Sequence, residues 1–158
     1  MPTTTDLTTP PDLHLDRERP WRWRSLVARP DLAHSLLFWA GAVLVAVSAV
    51  IHLHLWSTGY RHIPTIGPLF LLQGIAGLVA AAAVAVTRQR LVALLVGLFA
   101  VGTIGGLVAS VEVGLFGFRD SFSAPFATVS LVVESAAAVV LVVAAVTARG
   151  AWLPIRRR

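Results

Sequence analysis

Four stretches of this chain are apolar, free of arginine and about as long as a lipid bilayer is thick. They run over roughly 36–55 (LLFWAGAVLVAVSAVIHLHL), 69–86, 92–116 and 125–146. At about 1.5 Å of rise per residue, a helix of that length spans a hydrocarbon core about 30 Å thick. No water inside that core can satisfy a backbone N–H or C=O, so only helices or closed barrels are open to such segments. Nothing of comparable length reads as a strand. The expected fold class is therefore all-α, an integral membrane four-helix bundle. Composition agrees: 56% of the 158 residues are hydrophobic and 13% charged, where a soluble domain carries roughly a quarter charged residues. The length allows one bundle over 34–148 and no separate soluble domain. Two tails, 1–33 and 149–158, and three short loops remain outside it.

The tails carry most of the charge. Met1 to Leu15 is rich in Thr and Pro and poor in large apolar groups, so it is expected to stay disordered. Arg17 to Arg29 (RERPWRWRSLVAR) interleaves arginine with Trp21 and Trp23. Tryptophan rings favour the headgroup layer and guanidinium groups favour anionic phosphates, which makes the segment a juxtamembrane anchor on anionic inner-leaflet lipid. All 13 basic residues are arginine; five precede the first stretch, two separate the second from the third and four follow the fourth. The other two loops hold only Arg61 and Arg119. Eleven against two predicts both termini in the cytoplasm of a plasma-membrane protein, with the loops at 54–67 and 117–124 outside. Val47-Ser48-Ala49 would suit a signal peptidase, but the long basic flank and the full spanning length predict a retained signal anchor. No pattern for nucleic-acid binding is present. With no cysteine in the chain, disulfides, thiolate catalysis and cysteine-held metal centres are excluded.

Polar groups inside the apolar stretches carry what functional information there is, because a central carboxylate or guanidinium costs roughly 2.5–3.5 kcal/mol to insert. His52 and His54 sit near the end of the first stretch, Gln73 just inside the second, Glu112 near the outer end of the third and Glu134 within the fourth. All five fall in the extracytoplasmic half, which predicts a shared polar layer. Glu134 is the deepest, with Ser130 one turn away, and an ionised carboxylate there needs a partner such as protonated His52 or Arg61. His52, His54, Glu112 and Glu134 are candidate ligands for a metal ion (zinc, copper or iron), a proton relay or a polar ligand. Against a joint metal site, residues two apart point about 200° around a helix, so His52 and His54 cannot both face one centre unless the helix unwinds there. His52 shares a stripe with Gly41, Val45 and Ser48 and is expected to point inward, leaving His54 interfacial. The alternative is that these groups hydrogen-bond across the bundle and fix its packing.

Gly102, Gly106, Ser110 and Gly114 form a ladder of small residues at four-residue spacing, suited to close helix packing within the bundle or between copies. Gly74, Gly77 and Ala80 to Ala83 give the second stretch a similarly smooth face. In the first outer loop Trp56 and Tyr60 are expected to anchor at the interface, and Arg61 and His62 to cover the polar layer or meet lipid phosphates. Arg119 and Asp120 are expected to pair.

The run HLHLWSTGYRHIPTIGPLFLLQ, His52 to Gln73, resembles a pattern in small, uncharacterised four-span membrane proteins of high-G+C bacteria. Beyond that run the match is one of hydropathy and number of spans; DoxX-like proteins are similar only in layout. The resemblance implies the four-span architecture and no activity. No nucleophile with a base, phosphate loop or inward-facing pair of haem-ligating histidines is visible, so a non-catalytic subunit, scaffold or partner of a membrane assembly, or a homo-oligomer, is the expected role. The alternative is a metal-ion or proton-binding component.

Overall fold

The computed structural model describes residues 30–148, which form four helices and a short 3-10 turn. The disordered tail, the Arg/Trp anchor and the basic C-terminal tail expected from the sequence lie outside the described residues, apart from Pro30 to Ala33, which open the first helix. The helices are α1 (Pro30–Thr58), α2 (Ile66–Thr87), α3 (Arg90–Glu112) and α4 (Ala127–Thr147). All four are long and apolar enough to cross a membrane, which marks the chain as a multi-pass membrane protein. Their lengths of 21 to 29 residues correspond to about 31–44 Å. α1 therefore overshoots the hydrocarbon layer and tilts or protrudes.

Each helix ends for a local reason. At the start of α2, Pro68 occupies the first turn, where no intrahelical N–H is lost. Arg88 closes that helix in a left-handed conformation (φ 47°), its amide donating to the Val84 carbonyl, and Gln89 leads directly into α3. The third apolar stretch does not stay helical to 116. It stops at Glu112 because Gly114 turns left-handed (φ 80°) and its amide reaches back to the Ala109 carbonyl. Leu115 and Phe118 then exchange both backbone hydrogen bonds around Phe116 and Gly117, each at positive φ, in a tight hairpin. The fourth helix begins at Ala127, not at Pro125. Ser123, a residue type that commonly caps helices, instead shares a 2.7 Å hydroxyl contact with Ser121, and Phe126 stands at the N-cap with φ 63°.

α1 packs along α2 and α4, and α3 packs along α4, whereas α2 and α3 meet sparsely. A two-residue link holds α2 and α3 together at one end; the longer connections at 59–65 and 113–126 close the other. The link end is tied down by polar contacts. Arg90 Nε donates to the Ala145 carbonyl at 2.7 Å, His34 Nε2 donates to the Thr147 carbonyl at 2.7 Å, and Arg88 reaches Ser35 Oγ at 3.3 Å. Arg90 thus meets the carbonyl end of α4, where the helix dipole favours a cation.

The packed core occupies the same half, centred on Phe38, Val45, Val84, Val96 and Leu141 with alanines between them. Outward faces carry the larger groups, among them Leu36, Val79, Leu98 and Val139. In lipid no hydrophobic force separates inside from outside, so close approach of small residues supplies the cohesion. Gly77 lies so near Ala49 that a Cβ there would stand 2.9 Å from the Ala49 methyl.

A buried carboxylate beside a lateral cavity

The half of the bundle away from the link is hollow. A cavity of about 540 Å³ lies between α2 and α3, within the range of small-ligand sites. α2 contributes Leu69, Phe70, Leu72 and Gln73 to its wall, and α3 contributes Phe99, Gly102, Thr103, Gly106 and Ser110. Ser130 and Glu134 come from α4, His52 from α1, and the two loops supply Tyr60, Phe118 and Asp120. Leu69, Leu72 and Gly102 are exposed on the bundle's flank, so the cavity opens sideways between α2 and α3.

Glu134 is 3% exposed and stands about 10 Å along α4 from Ala127, by the helical rise. Its Oε1 accepts a 2.8 Å hydrogen bond from Ser48 Oγ and a longer one, 3.4 Å, from Gln73 Nε2. His52 Nε2 lies 3.8 Å from the same oxygen. The tautomer of His52 follows from its other nitrogen: Nδ1 sits 2.8 Å from the Ser48 carbonyl, which can only accept, so Nδ1 carries a proton. Nε2 is then either a lone pair or the second N–H of an imidazolium. Both hydrogen bonds to Glu134 and the His52 contact fall on Oε1.

Two further buried hydroxyls belong to residues on the same wall. Ser110 and Ser130 are 6% and 5% exposed, and neither hydroxyl has a hydrogen-bond partner within the described residues. A buried hydroxyl without a partner costs roughly 1–3 kcal/mol. Both serines line the cavity.

Aromatic rings form the wall nearest the loops. Tyr60 stacks on Phe70 with ring centroids 4.4 Å apart, meets Phe118 edge-on at 5.8 Å, and Phe70 in turn lies 5.2 Å from the His52 ring. Burial raises the Tyr60 phenol above its ordinary pKa; the charge of Asp120 and a hydrogen bond to its carboxylate add to the effect.

The residues singled out from the sequence separate into two groups. His52, Gln73, Tyr60, Ser110, Gly102, Gly106 and Glu134 all border the cavity. His54 does not; it is exposed and packs edge-on against Phe126 at 5.5 Å. Glu112 is also exposed, at the last turn of α3, and its carbonyl accepts from Arg119 Nη2 at 2.6 Å. The four candidate metal ligands are thus not assembled, and among the described residues no three His, Asp or Glu side chains converge on a point. Arg119 does not pair with Asp120, whose Oδ1 accepts from the Ser121 amide. Arg61 binds His62, Nε to Nε2 at 2.8 Å, rather than Glu134. Among the described residues, Gly102 and Gly106 pack against no other helix: a Cβ on either would meet no atom within 4 Å. Gly114 lies beyond the helix, in the turn that ends it.

The chain matches no protein-family model, no curated protein and no solved structure.

Proposed function

We propose that the chain is a plasma-membrane protein with both termini in the cytoplasm, and that its cavity binds a small lipophilic molecule with a polar head, entering sideways from the outer leaflet. The observation that carries this reading is the coincidence of a hollow, laterally open half-bundle with a buried carboxylate and two unpartnered hydroxyls on its wall. A bundle held together by interhelical hydrogen bonds alone would engage the two hydroxyls as it engages Glu134 Oε1. The arginine asymmetry supports the orientation: Arg88 and Arg90 stand at the link end with the arginine-rich tails on either side of the sequence, and the hollow end carries only Arg61 and Arg119.

A second reading, as subunit or scaffold of a membrane assembly, draws support from one feature. Gly102, Gly105 and Gly106 leave the flank of α3 bare, a surface onto which a partner helix or a second copy could pack. A metal-binding role draws less support, since His52 and Glu134 alone stand together.

Native mass spectrometry of the purified protein, released gently from a non-ionic detergent, tests the first reading. The expected result is a retained adduct of small-molecule mass that disappears in Gly102→Leu/Gly106→Leu, a variant that fills the cavity without touching the packed half. Adduct-free wild-type protein, or an adduct unaffected by filling, would count against it. A stoichiometric protein partner lost in the same variant would favour the assembly reading. Orientation is checked by labelling Thr58→Cys on intact cells with a membrane-impermeant maleimide.

A further inference from the structure

The cavity carries a charge pattern that its apolar lining hides. Among the described residues its wall holds two carboxyl groups, Asp120 and Glu134, and no guanidinium group. Both arginines on the loop side are occupied elsewhere, Arg61 on His62 and Arg119 on the Glu112 carbonyl. His52 is the single basic side chain on the wall, and it lies against Glu134 Oε1, so together the two come to zero charge when they share one ionising proton and to −1 without it. In neither case does the wall offer a net positive charge, and Asp120 adds a negative one at the loop end. An anionic headgroup entering this space would meet carboxylates with no net positive charge among the described residues to offset them.

The aromatic rings point the same way. Phe70, Tyr60 and Phe118 form a connected wall beside Asp120, and Phe99 faces the cavity from α3. Ring faces attract cations, more strongly where water is excluded.

We propose that the cavity selects lipophilic cations, ammonium- or phosphonium-type molecules with an apolar body, over neutral and anionic lipids of the same size. This rests on the reading that the cavity takes a lipophilic ligand, and it adds the sign of the ligand's charge. The apolar body lies along Leu69, Leu72 and Leu107, and the charge lies toward Glu134 and Asp120.

Tetraphenylphosphonium and tetraphenylborate, near-equal in shape and opposite in charge, separate the two claims. Each is titrated calorimetrically into the full chain in a non-ionic detergent, with empty micelles subtracted. The phosphonium is expected to bind at least about tenfold more tightly than the borate. Asp120→Asn, in a loop and remote from the packed core, is expected to narrow that ratio, and Glu134→Gln to narrow it further. Equal binding of the two ions, or tighter binding of the borate, overturns the charge selection while leaving a lipophile site in place. Binding of neither ion overturns the proposal, and if native mass spectrometry also finds no bound mass, the ligand reading falls with it.

Discussion

Replacing Ser48 and Glu134 singly and together measures the contact that joins α1 to α4 at the cavity floor. The bond from Ser48 Oγ to Glu134 Oε1 is 2.8 Å long and both residues are buried. Hydrogen bonds to charged groups contribute about 1.5–3 kcal/mol in soluble proteins, but side-chain bonds between membrane helices average about 0.6 and reach about 1.7 kcal/mol. Released from Glu134, the Ser48 hydroxyl can turn to the Leu44 carbonyl one turn back on its own helix, which lowers the loss. The coupling expected from Ser48→Ala and Glu134→Leu is therefore about 1 kcal/mol, about fivefold in the unfolding equilibrium. Gln73 supplies an internal comparison, because its contact with the same oxygen is 3.4 Å long. Its coupling in a parallel Gln73→Leu cycle should stay below about 0.5 kcal/mol. Unfolding in mixed micelles with increasing dodecyl sulfate, followed by circular dichroism, gives both values. A Ser48 coupling of zero, or one no larger than that of Gln73, would refute the placement of Glu134 against α1.

Two other outcomes follow from the two halves of the bundle and from the loop that covers one of them. Gly77→Ala should destabilise by about 1–3 kcal/mol, since its new methyl would stand 2.9 Å from that of Ala49, whereas Gly106→Ala should be neutral or stabilise by up to about 1 kcal/mol through helix propensity; the same micelle titration reads both. Tyr60 is the single tyrosine, so its phenolate absorbance can be titrated directly, and Asp120→Asn should bring its raised pKa down. The sign for stability follows from linkage. The contribution of a phenol whose pKa is raised on folding is complete below the ordinary value of about 10 and is lost as pH climbs through the folded value.

Much of the architecture was legible in the residues themselves, because hydropathy over twenty-residue windows is the quantity that a bilayer selects. The ends were less so. Leu91 to Phe118 reads as one apolar run, and only the backbone freedom of Gly114 and Gly117 divides it into helix and hairpin; glycine inside an apolar run gives the same signal whether it packs a helix or ends one. Ser123 and Pro125 had the chemistry of a helix start, yet a local serine pair diverted the cap. At the site, the inward stripe through Ser48 and His52 and the depth of Glu134 follow from helical periodicity. The cavity does not. A packed face and a hollow face have the same hydropathy, and the small residues at Gly102 and Gly106 suit either. What makes them a wall is the divergence of α2 from α3 away from their short link, a property of the assembled bundle. The Tyr60, Phe70 and Phe118 cluster likewise depends on the path of two loops that no periodicity describes.

The account as a whole depends on one half of the bundle being open and the other closed, and the absence of native cysteine allows that to be measured one thiol at a time. Ser130→Cys places a thiol on the cavity wall, and Ala144→Cys places one in the packed core, where the native residue is fully buried. In non-ionic micelles, phenylmaleimide should modify the first many times faster than the second, and adding Gly106→Leu should slow the first alone. Equal inertness of the two thiols, or a rate at Ser130→Cys that filling the cavity leaves unchanged, would contradict the hollow site on which the proposed function stands.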